Sequence, residues 1–238
     1  MAEGMTQEQL DFQERVNSGS SKTNNEDFEK NGYLVVKNLW DPKELYCEVP
    51  EIRGQINYFG KLNKFHHEPL EMQVEGSLAR YYYPPYKFAH SQIRKKLEKV
   101  LGSELANTYY YDRFYFPGQE LTKHADRDAC EISVTVHIST NLKEPWPIWI
   151  KTPDTYDNPN TKMNVLKRGE NRSVILNPGD GMIYKGCERP HWRDPMPTEY
   201  TRTWYGRRKE KEGLYYHQVF FHYVLANGYR AQFAGDMK

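Results

Sequence analysis

Cysteine is scarce in this chain: three residues, Cys47, Cys130 and Cys187, among 238. They are too few and too scattered for a disulfide framework or a zinc knuckle, so they are read as reduced thiols. No apolar run approaches the roughly 18 to 20 residues of a membrane span, and the opening MAEGMTQEQL has neither the basic nor the apolar region of a secretory signal. A soluble, cytoplasmic protein is expected. An excess of one charge is missing too: 33 Lys and Arg against 32 Asp and Glu leave a net charge of +1, so no nucleic-acid or membrane partner is expected. There is no internal repeat and no βαβα alternation, which argues against solenoids and doubly wound sheets. What the chain does have is tyrosine, 19 of them, beside a mean hydropathy of -0.91. That pairing suits strands with half-wet aromatic faces and long polar loops.

The first stretch holds one short amphipathic segment, Leu10 to Val16. The Ser/Asn-rich run NSGSSKTNNED after it buries too little apolar area to offset its ordering entropy, so residues 1–27 are expected to be a loose lead-in. Residues 28–238 then read as a single domain. NGYLVVKNLW is an apolar strand, and Asp41-Pro42 offers an N-cap with proline at the first helical position. Ile93, Leu97, Val100 and Leu101 recur at helical spacing before a C-cap Gly102, which assigns supporting helices to residues 41–105. Strands are expected at Tyr109 to Phe116, Glu131 to Ser139, Trp146 to Lys151, Ser173 to Leu176, Met182 to Lys185 and Tyr215 to Leu225. Helices first and strands second predict a mainly β fold with flanking helices, an antiparallel sandwich or barrel whose core spans 109–225. Two polar loops interrupt it, Thr152 to Arg172 and the GRRKEKEG segment from Gly206 to Gly213, and such loops either rim a site or stay mobile.

In EISVTVHIS, side-chain alternation puts Ile132, Val134, Val136 and Ile138 on one face and Ser133, Thr135 and His137 on the other. The polar face is either solvent-exposed or the lining of a pocket. Immediately upstream, His124 and Asp126 in LTKHADRD stand two positions apart, so an extended backbone projects both to one side. Imidazole plus a carboxylate oxygen suits Fe(II), and a third ligand from a distant strand would complete a facial triad with open positions. His191, in ERPHWRDP after the Asn-Pro-Gly-Asp turn, fits that place. His66, His67 and His90 read as structural or surface groups, as do His217 and His222, which also qualify as supports behind the ligands.

These pieces together make the sequence similar to the Fe(II)/2-oxoglutarate-dependent dioxygenases, and within them to the prolyl 4-hydroxylase-like proteins. The resemblance runs over about residues 109–224, through FYFPGQEL, the HAD pair, PGDGMIY, PHWRDP and HQVFFHYV; FEKNGYLVVKNLWDPKEL also looks like the superfamily's N-terminal part. It implies a double-stranded β-helix (jelly-roll, cupin-like) core, with His124, Asp126 and His191 as catalytic iron ligands. The implied cofactors are Fe(II), 2-oxoglutarate as co-substrate and O2, with ascorbate as an accessory reductant. The implied reaction hydroxylates an unactivated C–H bond, releasing succinate and carbon dioxide, on a prolyl residue of a peptide or protein or on a small molecule. For the buried distal carboxylate of 2-oxoglutarate it implies a cationic anchor. Arg202, eleven positions beyond His191, is the first choice and Arg193 the second. Tyr115 and Thr135 would add hydroxyls. ARYYYPPYKF and the Thr152 to Arg172 loop are the places expected to recognise substrate.

Two rivals stand beside this reading. One is a cupin-type iron dioxygenase that does not use 2-oxoglutarate. The other is a non-catalytic jelly-roll binding module in which the three ligands are ordinary surface groups. The substrate and the oligomeric state are left open by the sequence.

Overall fold

The computed structural model describes residues 22–50, 65–158, 162 and 164–236. Asn25 caps a first helix, α1 (Glu26–Asn31), by accepting from the Phe28 N–H, and Gly32 closes it in the left-handed region at φ 76°. The last residues of the expected lead-in therefore begin a helix; Leu10 to Val16 lies outside the described residues. The predicted first strand is β1 (Tyr33–Val36), and Asp41 caps the single turn α2 (Pro42–Leu45) as anticipated. The stretch assigned to supporting helices also contributes two strands, β2 (His66–Glu68) and β3 (Ser77–Tyr81). The amphipathic helix α3 (Tyr86–Leu101) follows them and ends on Gly102, whose φ is 63°.

The rest is β. The strands are β4 (Leu105–Tyr115), β5 (Leu121–His124), β6 (Ile132–Thr140), β7 (Ile148–Lys151), β8 (Thr155–Tyr156), β9 (Val165–Lys167) and β10 (Asn171–Val174). Next come β11 (Gly181–Tyr184), β12 (His191–Arg193), β13 (Tyr200–Arg202), β14 (Arg208–Glu210) and β15 (Tyr216–Leu225). A seven-stranded sheet runs β1-β11-β6-β15-β4-β3-β2, and a four-stranded sheet runs β10-β7-β12-β5; the pairings are antiparallel. The polar loops are not featureless: Thr152 to Arg172 contains the β8–β9 hairpin, and GRRKEKEG supplies one arm of the β13–β14 hairpin.

Alternation along β6 decides the layering. Ile132, Val134, Val136 and Ile138 pack with Ile93, Leu97 and Leu101 of α3 and with Val219, Phe221 and Tyr223 of β15. This outer face is the main core. The opposite faces of β4, β6 and β15 turn toward the smaller sheet, so Ser133, Thr135 and His137 are buried rather than wet. A second apolar cluster there joins Tyr115, Leu121, Trp146, Tyr216 and Phe220. Behind β4, a buried network holds Asp112: Arg80 donates to both carboxylate oxygens at 3.0 and 2.7 Å, and His217 Nε2 lies 3.0 Å away. His217 therefore belongs to the outer face, and an Asp112 already held by a guanidinium is a structural ion pair.

Candidate metal and co-substrate site

Sheet register brings the ligand candidates together. His124, the last residue of β5, lies directly opposite His191, the first of β12, and their rings are 4.4 Å apart between centroids. Asp126 follows two positions after His124, and its N–H donates to Gly186 O at 2.9 Å, which turns its carboxylate back toward both rings. Nε2 of His124 and of His191 sit 3.4 and 3.6 Å from Asp126 Oδ1. The three ligand atoms lie within 4.8 Å of one another.

Hydrogen bonding sets the tautomers. Nδ1 of His124 is 2.7 Å from Thr122 O, and Nδ1 of His191 is 3.0 Å from Arg189 O. A carbonyl only accepts, so each Nδ1 carries the proton and each neutral Nε2 presents a lone pair to the carboxylate. Two lone pairs facing one anionic oxygen repel unless a cation or a proton sits between them. Burial lowers His191 and keeps it neutral. Burial also pushes His124 down, but the Asp126 carboxylate outweighs it and raises the imidazole. Burial drives Asp126 up, and positive charge on the surrounding imidazoles of His191, His124 and His222 would outweigh it and hold the carboxyl well below the usual carboxylate range. Two imidazole nitrogens from facing strands and one hard oxygen from the loop after β5 fit Fe(II), with the remaining positions free for other ligands.

The seat of the carboxylate is tight. A Cβ on Gly186 would come within 2.3 Å of Cys130 O, 2.5 Å of Asp126 Oδ2 and 2.6 Å of Ser133 Oγ, so only glycine fits there. Ser133 Oγ is 3.1 Å from Asp126 Oδ2 and 2.9 Å from His222 Nδ1. Burial lowers His222 to about 4, which keeps it neutral. The serine can then accept from His222 Nδ1–H and donate to the carboxylate. His222, one of the two late histidines marked as supports, thus reaches the site through Ser133. His217 does not reach it.

Deeper between the sheets, Arg193 is buried, its guanidinium lying between the rings of Trp146 and Tyr216 at 4.5 and 4.6 Å. It donates to Trp146 O at 2.6 Å, to Gln218 Oε1 at 3.0 Å and to Tyr216 OH at 3.3 Å, while its Nε has no partner. The hydroxyls of Tyr115 and Thr135, also buried, are likewise without partners among the described residues. Buried polar atoms left unsatisfied cost about 1 to 3 kcal/mol each, so their gathering on one interior marks a place for a polar ligand. Arg202 is elsewhere. The residues between β12 and β15 fold out as the β13–β14 hairpin, so the position eleven beyond His191 lies on an exposed strand instead of on a barrel wall. Gln218, which faces the interior beside Arg193, carries no charge to replace it.

Sequence reasoning passed over Arg113. It shares the inward parity of Tyr115 on β4, and that parity was the available signal. Of the segments expected to recognise substrate, ARYYYPPYKF places Tyr81 against Tyr111 with centroids 5.0 Å apart, whereas Tyr83 and Tyr86 pack around Arg80.

Solved structures share this architecture. EctD from S. alaskensis in its apoform is 13% identical, with a TM-score of 0.51 over 84% of this chain and 75% of that one. AviO1 from Streptomyces viridochromogenes Tue57 is 11% identical, with a TM-score of 0.51 over 83% of this chain and 91% of that one. A Pseudomonas putida prolyl-4-hydroxylase is 14% identical at a TM-score of 0.49, covering 82% of this chain and 95% of that one. No protein-family model and no curated protein matches the chain. The fold is the jelly-roll that EctD and AviO1 share with this chain, as expected from the sequence.

Proposed function

We propose that the protein is an Fe(II)- and 2-oxoglutarate-dependent oxygenase, with residues 28–238 acting as one domain. The observation that carries the reading is the pair of Nε2 lone pairs, 3.4 and 3.6 Å from Asp126 Oδ1, oriented for a cation by carbonyls behind each ring. His124, Asp126 and His191 would hold the iron. EctD has also been solved with 2-oxoglutarate and 5-hydroxyectoine, in the same fold. When bound, the iron, 2-oxoglutarate and O2 would supply the chemistry that hydroxylates an unactivated C–H bond, with O2 as the oxidant and 2-oxoglutarate converted to succinate and carbon dioxide.

The chain's own residues position and shelter that chemistry. Arg193 offers a desolvated cation to the distal carboxylate of the co-substrate, and the unpartnered hydroxyls of Tyr115 and Thr135 offer donors on the same interior. Trp146, Tyr216 and Phe220 exclude water around them. At the finer level, the resemblance in FYFPGQEL, HAD and PHWRDP favours a prolyl ring, peptidyl or free, as the group hydroxylated. Three free thiols suit a reducing, cytoplasmic setting, and among the described residues no helix is long and apolar enough to cross a membrane.

The test is turnover of 2-oxoglutarate by the full chain with Fe(II), read as succinate, beside the His124→Ala and Asp126→Ala variants. Succinate from the wild type and none from either variant is expected. Equal succinate from either folded variant would remove these ligands from the reading.

A further inference from the structure

Arg113 is 3% exposed, faces the inter-sheet space from β4, and has one charge partner among the described residues: its Nη2 is 3.3 Å from Glu71 Oε2. Its Nε and Nη1 have no acceptor among the described residues. A buried guanidinium with two of its three nitrogens unmet is costly unless a ligand completes it. The surroundings are aromatic, with Arg113 Cζ 5.5 Å from the Tyr111 ring and 5.9 Å from that of Tyr115. Glu71 is no free base: Gln73 N–H and Val74 N–H both donate to it at 2.9 Å, so it is pinned in place as a fixed counter-charge.

Location separates this cation from the co-substrate anchor. Arg193 lies on β12 in the smaller sheet, where Trp146, Tyr216 and Gln218 engage it. Arg113 lies across on β4, buried, and its partner Glu71 lines a surface groove of about 760 Å³ together with Leu70, Met72, Gln119 and Thr122. Thr122 is the residue whose carbonyl orients His124. On the other side, Tyr81 is 41% exposed and stacks on Tyr111. Glu71 thus links the buried Arg113 to this groove, and Thr122 links the groove to the strand that ends in the candidate ligand His124.

We propose that Arg113 receives the carboxylate of the primary substrate, which makes that substrate a small carboxylate-bearing molecule and not the interior of a polypeptide. The inference rests on the oxygenase reading and names its substrate class. With Glu71 cancelling part of the guanidinium's charge, a monoanion is accommodated better than a phosphate dianion, which would repel the pinned carboxylate. The backbone of an interior peptide segment could offer Arg113 only neutral carbonyls, and charge-assisted bonds are roughly twice as strong as those.

The experiment uses full-length protein labelled with 15N-arginine, saturated with Zn(II), a diamagnetic stand-in for Fe(II), and with 2-oxoglutarate, and titrated with propionate or with its uncharged analogue propionamide. Propionate should move the Nε resonance that Arg113→Lys and Arg113→Gln identify, and propionamide should not. Arg113→Gln should abolish the propionate response while leaving the 2-oxoglutarate dissociation constant within about threefold. Arg193→Gln should raise that constant by about 10- to 100-fold, the loss of a charge-assisted bond. Equal responses to propionate and propionamide, or none to propionate, overturn the proposal. So does a tenfold weakening of 2-oxoglutarate in Arg113→Gln, which would make Arg113 the co-substrate's anchor. Failure of 2-oxoglutarate to bind at all counts against the oxygenase reading instead, and the propionate titration is then read in Arg193→Gln protein, where the rival cation is gone.

Discussion

Ser133→Ala is the sharpest perturbation of the candidate iron site, because it removes one hydroxyl and leaves all three ligands in place. Ser133 Oγ lies 3.1 Å from Asp126 Oδ2, 3.2 Å from Cys130 O and 2.9 Å from His222 Nδ1. It has a single proton to give. With buried His222 neutral and donating from Nδ1, that proton belongs to the carboxylate, the strongest acceptor of the three. A hydrogen bond to a charged group contributes about 1.5 to 3 kcal/mol, and groups behind metal ligands typically govern 10- to 100-fold in metal affinity. The variant should therefore bind Mn(II), a redox-silent stand-in for Fe(II), about 10- to 100-fold more weakly. Free Mn(II) measured by electron paramagnetic resonance gives the dissociation constant, and the melting temperature of the metal-free variant checks that it is folded. A folded Ser133→Ala protein that binds Mn(II) within twofold of wild type would refute the argument, since Asp126 would then need no support from β6.

Further outcomes follow from other parts of the molecule. Arg193→Gln should raise the Michaelis constant for 2-oxoglutarate about 10- to 100-fold, while Arg202→Gln on its exposed hairpin should leave it unchanged; the reverse pattern would restore Arg202 as the anchor. Burial depresses His90 to about 4, so it is neutral in the fold at pH 7, whereas in the unfolded chain it titrates near 6.5. Between those values the unfolded state binds more protons, so stability is lost as pH falls from about 6.5 toward 4, by about 3 kcal/mol from this residue. His90→Phe should flatten the dependence of melting temperature on pH in that window, and curves parallel to wild type would contradict it. Asp112→Ala strands the buried Arg80 guanidinium and should cost about 3 to 5 kcal/mol in urea unfolding; a loss below 1 kcal/mol would show that the network is incidental.

Local pattern carried a good part of this. The alternation in EISVTVHIS separated the helix-facing side of β6 from the pocket-facing side, because a strand's two faces are written into odd and even positions. The Ile93, Leu97, Leu101 stripe and Gly102 marked α3 and its end for the same kind of reason. The short strands β2 and β3 escaped notice: HHE and SLARY are brief and partly polar, and they become strands by pairing with β4 and each other. Arg202 was placed by counting from His191, and counting fails where a hairpin folds out between two strands.

From its own order of residues the chain determined which side chains could serve as ligands, since His124 and Asp126 are neighbours on an extended backbone and their spacing needs no partner strand. It also determined, by parity, that Thr135 sits on the polar face of its strand, and it carried in the shared parity of Arg113 and Tyr115 a signal that went unread. Only tertiary structure decided that His191 stands opposite His124, that Ser133 and His222 meet behind Asp126, that Gly186 leaves room for the carboxylate, and that Arg193 and not Arg202 turns inward. The physical reason is that spacing along one strand is a local property, whereas register between strands, and the burial that follows from it, is set by how two sheets close on each other across long stretches of chain.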